Sequence, residues 1–244
     1  MKITAIVLAG GRGKRMGSEV PKQYIEVAGK PLLYYTLKAF ETSKADDIVV
    51  VCGEGDESFV AEEIIEKYGI ERVSAVVAGG KERYDSVYNG LKACRDAQKV
   101  LVHDGARCLV SPQLIDRVIG ALDESRAVIA ALPVKDTIKR RAGSMVTATL
   151  KRSELVSAQT PQGFEYDLLL AANKKMYIDM AKSGRDALGN ITDDASIIEA
   201  YTGEKVKIVP GEEKNIKVTT PEDLFLVKMH LENLKKAVDK TDVF

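Results

Sequence analysis

Apolar and polar positions fall into alternating blocks along the first 133 residues. Short runs rich in Val, Ile, Leu and Ala at 3–8, 47–52, 72–77, 99–102 and 127–133 read as buried strands. Between them, 31–42, 56–68, 82–95 and 111–123 carry apolar residues at helical spacing. Ser111 followed by Pro112 is a strong helix start, an N-cap hydroxyl with proline at the first helical position. Regular strand–helix alternation predicts an α/β fold with a mostly parallel sheet and helices on both faces. Ligands bind such sheets beyond the carboxyl ends of the strands, which is where the loop after the first strand falls.

The pattern breaks after Pro133. From 134 to 150, polar and β-branched residues alternate around Arg140-Arg141-Ala142-Gly143-Ser144, a hairpin signal. Two strands bury too little to stand alone, so this arm, 134–152, is expected to project and to pack on a second subunit as a homodimer. A helix over 165–183, a Gly/Asn-containing loop, a short helix over 194–201 and a strand over 205–209 follow. Thr220-Pro221-Glu222-Asp223 opens the last helix, and the chain beyond about 239 reads as a frayed tail. The whole of 1–244 is read as one domain with the arm inserted.

Charge is balanced, with 36 basic and 36 acidic residues in 244. That balance argues against a general nucleic-acid or membrane-surface binder, so any basic cluster is a local site for a small anion. Cys52, Cys94 and Cys108 are odd in number and lack metal-type spacing, which fits a reducing compartment. With no long apolar segment beyond the first strand, a soluble cytoplasmic protein is expected.

Against that neutral background one stretch stands out. The first strand runs into Ala9-Gly10-Gly11-Arg12-Gly13-Lys14-Arg15-Met16-Gly17, and Pro21-Lys22 follows. Glycines expose backbone N–H groups, and Arg12, Lys14, Arg15 and Lys22 add positive charge, the requirements of a polyphosphate. The spacing is neither a P-loop, which needs Ser or Thr after the lysine, nor the Gly-x-Gly-x-x-Gly dinucleotide fingerprint. Asp104 ends the strand Val100-Leu101-Val102-His103 on the same rim and is the candidate for Mg²⁺ (or another divalent cation) or ribose contact. The alternatives for it are a helix cap or a salt bridge to Arg107. Gly79-Gly80-Lys81-Glu82-Arg83 offers further backbone N–H groups, and Lys217 another cation. In Thr192-Asp193-Asp194, Asp194 is expected to cap a helix while Thr192 or Asp193 meets substrate. His103 and Cys108 read as structural. A triphosphate held by cations suits attack on phosphorus, for which Arg15 and Lys22 are the catalytic candidates.

Together these residues resemble the 2-C-methyl-D-erythritol 4-phosphate cytidylyltransferase family along nearly the whole chain. The motifs are Leu8 to Met16, Pro21-Lys22-Gln23, Gly79 to Val87, Val102 to Arg107, Pro133 to Thr137, Gln159-Thr160-Pro161-Gln162, Ile191 to Ser196 and Asn215 to Thr219. The resemblance implies a Rossmann-like nucleotidyltransferase acting in isoprene biosynthesis. CTP would be held by Ala9, Gly10, Gly11, Gly13, Gly80, Ser86, Asp104, Arg107 and Lys217, with Arg15 and Lys22 stabilising the pentacoordinate α-phosphorus. Thr137 and Arg152 on the arm would reach into the partner subunit's site to bind the sugar phosphate, beside Thr160, Thr192 and Asp193. Gly105, Cys108 and Lys81 depart from the usual family pattern without removing a charged group expected to act. A ribitol-5-phosphate cytidylyltransferase making CDP-ribitol is the alternative, and a non-catalytic nucleotide sensor the alternative from another class.

Overall fold

The computed structural model describes residues 1–11, 20–185, 189 and 191–241, with side chains through 233. The strands are β1 (Ile3–Ala9), β2 (Glu26–Val27), β3 (Lys30–Pro31), β4 (Asp47–Cys52), β5 (Val73–Ala78), β6 (Lys99–Asp104), β7 (Ala127–Pro133), β8 (Lys139–Ala142), β9 (Met145–Thr149), β10 (Val156–Glu165) and β11 (Lys207–Pro210). The helices are α1 (Leu32–Glu41), α2 (Glu57–Phe59), α3 (Arg83–Ala93), α4 (Pro112–Ala121), α5 (Tyr166–Ser183), α6 (Asp194–Tyr201) and α7 (Pro221–Thr241). The main sheet has seven strands in the order β11-β7-β10-β6-β1-β4-β5. All neighbours are parallel except β10, which runs antiparallel to both β6 and β7.

Both faces of the sheet are covered, and this explains why its strands are apolar runs rather than alternating ones. Ala5 and Val7 pack with Leu33, Leu37 and Phe40 of α1 and Leu114 and Ile115 of α4. Ile6 points the other way, to Val87 and Leu91 of α3 and Leu169 of α5. Gly90 lets α3 close on the sheet, since a Cβ there would stand 2.5 Å from Ile6 Cγ2. Among the described residues, no helix is long and apolar enough to cross a membrane.

Two expectations need correcting, and one strand went unforeseen. The helix over 56–68 is only briefly α: after α2 it widens to a π-helix over Val60–Glu66, with Ile70 N–H bonding Ile65 O. Val60 and Ile64, four residues apart, are buried together, a spacing that an α-helix shares and that therefore does not reveal the wider turn. Strand β10 has no counterpart in the hydrophobic pattern. Its centre is Gln159-Thr160-Pro161-Gln162, and proline argues against an inner strand; here Pro161 sits where the pairing with β7 slips between Ala158 and Gln162. Finally, the N-cap of α6 is Asp193, not Asp194: Asp193 Oδ1 accepts from Ser196 N–H at 2.9 Å, and Asp194 is fully buried one position on.

The arm is a separate two-stranded ribbon, β8 antiparallel to β9, turning at Gly143 with φ +55°. Every residue of β8 is exposed, and so are Met145 and Val146 of β9.

Candidate active site

Register sets the site. Ala9 pairs with Cys52, Cys52 with Ala78, and Leu8 with Asp104, so β1, β4, β5 and β6 end level with one another. The turns that follow, Gly10-Gly11, Gly79-Gly80 and Gly105, therefore share one rim. Gly79 N–H is tied to Cys52 O at 2.8 Å, and Gly80 N–H to Ser86 Oγ at 3.0 Å. Gly80 has no room for a side chain: a Cβ would lie 2.2 Å from Asp85 Cβ. Gln23, in a 3₁₀ turn over Lys22–Tyr24, donates its amide to Ala9 O beneath the rim. These pieces enclose a cleft of about 250 Å³ whose walls include Gly10, Gly11, Lys22, Gly80, Ser86, Asp104 and Lys217.

Asp104 is the electrostatic centre. Its Oδ2 lies 2.8 Å from Lys217 Nζ and 3.9 Å from Arg107 Nε, and its Oδ1 lies 3.4 Å from Arg83 Nε. Burial pushes a carboxyl up, but Arg83, Lys217 and Arg107 more than offset it and hold Asp104 well below the usual carboxylate range. Arg107 is itself pulled down by burial, and its Nη1 donates to Asn215 O at 2.8 Å, tying the Lys217 segment to the rim. Lys22 Nζ donates to Val218 O at 2.7 Å. An ionised carboxylate facing several cations is a counter-charge that arriving phosphates can displace.

No group of three His, Cys, Asp or Glu residues is placed to cage a metal among the described residues. A single ionised carboxylate instead fits a Mg²⁺ ion that keeps most of its ligands on a triphosphate and takes one from the protein. Asp104 is the acid on the cleft wall that would offer it a ligand.

The remaining expected residues divide. Thr160 is buried behind the rim, its Oγ1 3.1 Å from Asp104 N and 3.1 Å from His103 Nδ1. His103 is fully buried, and burial pushes it down to about 3, so it is neutral and structural. Cys108 is buried and pushed up to about 12 by that burial, which rules it out as a nucleophile. Asp193 spends both oxygens locally, on Ser196 N–H and on Gln162 Nε2 at 2.7 Å. Thr192 is exposed beside it, and Thr192 and Asp193 border a small hollow next to Arg83. Thr137 and Arg152 are exposed at the base of the arm and do not line the cleft; Arg152 Nη1 donates to Lys135 O at 2.8 Å. Arg15 and Gly13 lie outside the described residues.

Three residues without an assigned role turn out to organise the site. Gln159 exchanges hydrogen bonds with Glu212 and Asn215, and Gln162 holds Asp193 and Ala195 N–H, so β10 anchors both the Lys217 segment and the start of α6. Arg83 bonds Asp194 Oδ2 at 2.8 Å as well as Asp104. Its signal was a basic residue opening a helix right after a Gly-Gly turn.

A model of the 2-C-methyl-D-erythritol 4-phosphate cytidylyltransferase family matches residues 3–233. The chain is 47% identical over 228 residues to a 2-C-methyl-D-erythritol 4-phosphate cytidylyltransferase of Lachnoclostridium phytofermentans, covering 93% of this chain and 95% of that protein. Among solved structures it is similar to a 4-diphosphocytidyl-2C-methyl-D-erythritol synthase from Anaerococcus prevotii, with a TM-score of 0.81 and 36% identity over 95% and 96% of the two chains. A 2-C-methyl-D-erythritol 4-phosphate cytidylyltransferase from Thermus thermophilus superposes with a TM-score of 0.75 at 31% identity, over 95% and 100% of the chains.

Proposed function

The chain belongs to the 2-C-methyl-D-erythritol 4-phosphate cytidylyltransferase family, and we infer that it joins CTP to 2-C-methyl-D-erythritol 4-phosphate in isoprenoid precursor synthesis. The products are 4-diphosphocytidyl-2-C-methyl-D-erythritol and pyrophosphate. The observation that carries this reading is the convergence of Gly10, Gly80, Ser86, Asp104 and Lys217 on one cleft. Backbone N–H groups of the Gly10-Gly11 loop meet the phosphates, and the Gly80–Ser86 turn meets the nucleoside.

An oxygen of the acceptor phosphate attacks the α-phosphorus in line; a new P–O bond forms as the bond to pyrophosphate breaks. No covalent nucleophile is required, because alignment and charge stabilisation supply the rate. Lys22 sits on the cleft wall and, with Arg15, meets charge that builds on the α-phosphoryl oxygens. One charge contact at 4 Å is worth about 4 kcal/mol at an effective dielectric near 20, enough for about 10³-fold in rate if it forms only in the transition state. Lys217 and Arg107 hold phosphate charge beside Asp104. A divalent cation arriving with CTP would be held by Asp104 and would neutralise phosphate charge.

The acceptor side is completed by the arm of a second subunit, with Thr137 and Arg152 brought to the partner's cleft beside Thr192 and Asp193. Support comes from the exposure of Arg152, Met145 and Val146 on a ribbon with no core of its own. The three cysteines are buried and unpaired, in keeping with a cytoplasmic setting.

The test is pyrophosphate release from CTP with each acceptor in parallel. Faster turnover with 2-C-methyl-D-erythritol 4-phosphate is expected. Faster turnover with ribitol 5-phosphate would reassign the acceptor, and CTP binding without pyrophosphate from either would make the protein a nucleotide-binding relative.

A further inference from the structure

Arg83 lines two cavities at once. It forms part of the nucleotide cleft, and it borders the small hollow shared with Ile191, Thr192 and Asp193. As the first residue of α3, it leaves the Gly79-Gly80 turn with its guanidinium spread between two carboxylates. Nε faces Asp104 Oδ1 at 3.4 Å, and Nη2 bonds Asp194 Oδ2 at 2.8 Å. The two acids stand at the carboxyl end of β6 and at the first position of α6.

Folding alone does not account for Asp194. The cap of α6 is already complete, with Asp193 Oδ1 on Ser196 N–H and Gln162 on Asp193 Oδ2 and Ala195 N–H. Asp194 is fully buried, and its Oδ1 has no hydrogen-bond partner among the described residues. An apolar residue would serve a helix start here as well or better, because a buried ion pair rarely stabilises more than hydrophobic packing does. What the pair does instead is fix a distance and an angle. A planar guanidinium can hold two carboxylates in different directions, and a lysine ammonium cannot do so with the same geometry.

We propose that Arg83 is a positioning residue that joins the two halves of the site. Through Asp104 it orients the nucleotide side; through Asp194 it fixes the start of α6, and with it Thr192 and Asp193 on the acceptor side. It acts through these groups and touches no reacting atom. The inference rests on the reading of a CTP-dependent transfer to a sugar phosphate.

The test uses the full-length protein with Arg83→Lys, Arg83→Met and Asp194→Asn. It measures kcat, KM for each substrate, CTP affinity by calorimetry, and Tm. Arg83→Lys keeps the charge but loses the fork. It should lower kcat/KM for both substrates about 30-fold and weaken CTP about 10-fold, with Tm shifted only a few degrees. Arg83→Met, which leaves Asp194 unpaired, should be worse in Tm and no better in activity. Asp194→Asn should raise the acceptor KM about 10-fold while CTP affinity stays within about 3-fold. Arg83→Lys or Asp194→Asn with lowered Tm but unchanged kcat and KM below it would reduce Arg83 to a structural role and overturn the proposal. Equal losses for both substrates in Asp194→Asn would overturn the division between the halves. If the unaltered enzyme released no pyrophosphate with either sugar phosphate, the functional reading would fail separately. Calorimetry would then decide, because CTP affinity unchanged in Arg83→Lys would overturn the proposal and a 10-fold loss would sustain it.

Discussion

The rim of the sheet and the arm carry the same kinds of residue in opposite physical states. At the rim, Asp104, Arg83, Arg107 and Lys217 are interlocked, and the backbone they sit on is set by parallel register across four strands. On the arm, one ion pair at the base reaches away, Lys135 Nζ to Glu213 Oε1 at 2.6 Å, and the ribbon's own contacts are local: Lys151 with Glu154 at 2.6 Å, Lys139 with Thr149 Oγ1 at 2.8 Å. Met145 and Val146 are left 71% and 61% exposed there, although an isolated two-stranded ribbon is marginal in water. Within one chain the described part of the rim is already interlocked, while the ribbon of the arm keeps exposed apolar surface and charge. Under the dimer reading, the nucleotide end is therefore built within a subunit and the acceptor end between subunits.

The sharpest way to break this contrast is to remove a rim cation and compare it with an arm cation. Lys22→Ala is expected to lower kcat about 10³-fold with a much smaller change in the KM for CTP, as for loss of one transition-state donor. Steady-state kinetics with both substrates varied checks it. A change confined to KM would demote Lys22 to a ground-state phosphate contact.

Glycine makes the next comparison. Gly80→Ala would place a Cβ 2.2 Å from Asp85 Cβ, so the turn must shift. Overpacking costs about 1–3 kcal/mol, and CTP affinity measured by calorimetry should fall between about 5- and 150-fold. Gly143 faces open space but has φ +55°. Gly143→Ala should therefore cost only about 1 kcal/mol of local strain and leave CTP affinity unchanged. Equal effects at the two positions would mean that the arm and the nucleotide site are not separable.

Arg152→Ala carries the comparison across the dimer. The acceptor KM is expected to rise about 10- to 30-fold with the CTP KM unaltered, as for loss of one charge-assisted contact. Mixing Arg152→Ala with Lys22→Ala subunits should restore activity, since one cleft in a mixed dimer would receive both an intact Lys22 and an intact partner arm. No recovery from a mixed dimer of proven composition would contradict arm sharing.

How legible each region is in the sequence follows from the physics of its residues. The rim reads well because β1 is apolar but for Thr4 and runs into glycines, and level strand ends then bring Gly10, Gly80 and Asp104 together. The arm reads as a hairpin because alternation replaces apolar runs at Pro133. Strand β10 does not read, since Gln159, Thr160, Pro161 and Gln162 are polar or lack a donor, and their value lies in hydrogen bonds to segments about 30 to 55 residues away. Asp193 and Asp194 are indistinguishable in sequence; only the register of α6 makes one the cap and the other Arg83's buried partner. Arg83 was visible as a motif member, but its role depends on two carboxylates that only tertiary structure brings to it.

The smallest expected effect separates the two regions by pH. His103 lies under the rim, bonded to Thr160, and burial lowers it to about 3 from an unfolded value of about 6.5. A base whose folded pKa is depressed takes up its proton more readily in the unfolded chain. Its neutral form therefore costs nothing above pH 6.5, and stability is lost as pH falls from about 6.5 towards about 3, at up to about 1.4 kcal/mol per pH unit. Between about pH 6.5 and about pH 5, above the range where most carboxylates titrate, the loss should be about 1.5 kcal/mol. Denaturant unfolding across that interval checks it. His103→Asn, which can keep the bond to Thr160 without the ionisation, should flatten the slope by that amount. Replacing hairpin residues 138–150 by a short Gly-Ser turn should leave the slope as it is, because the arm shares none of the buried surface around His103. A slope that vanished with the hairpin instead would show that the arm supports the rim, and the contrast between the two regions would fall.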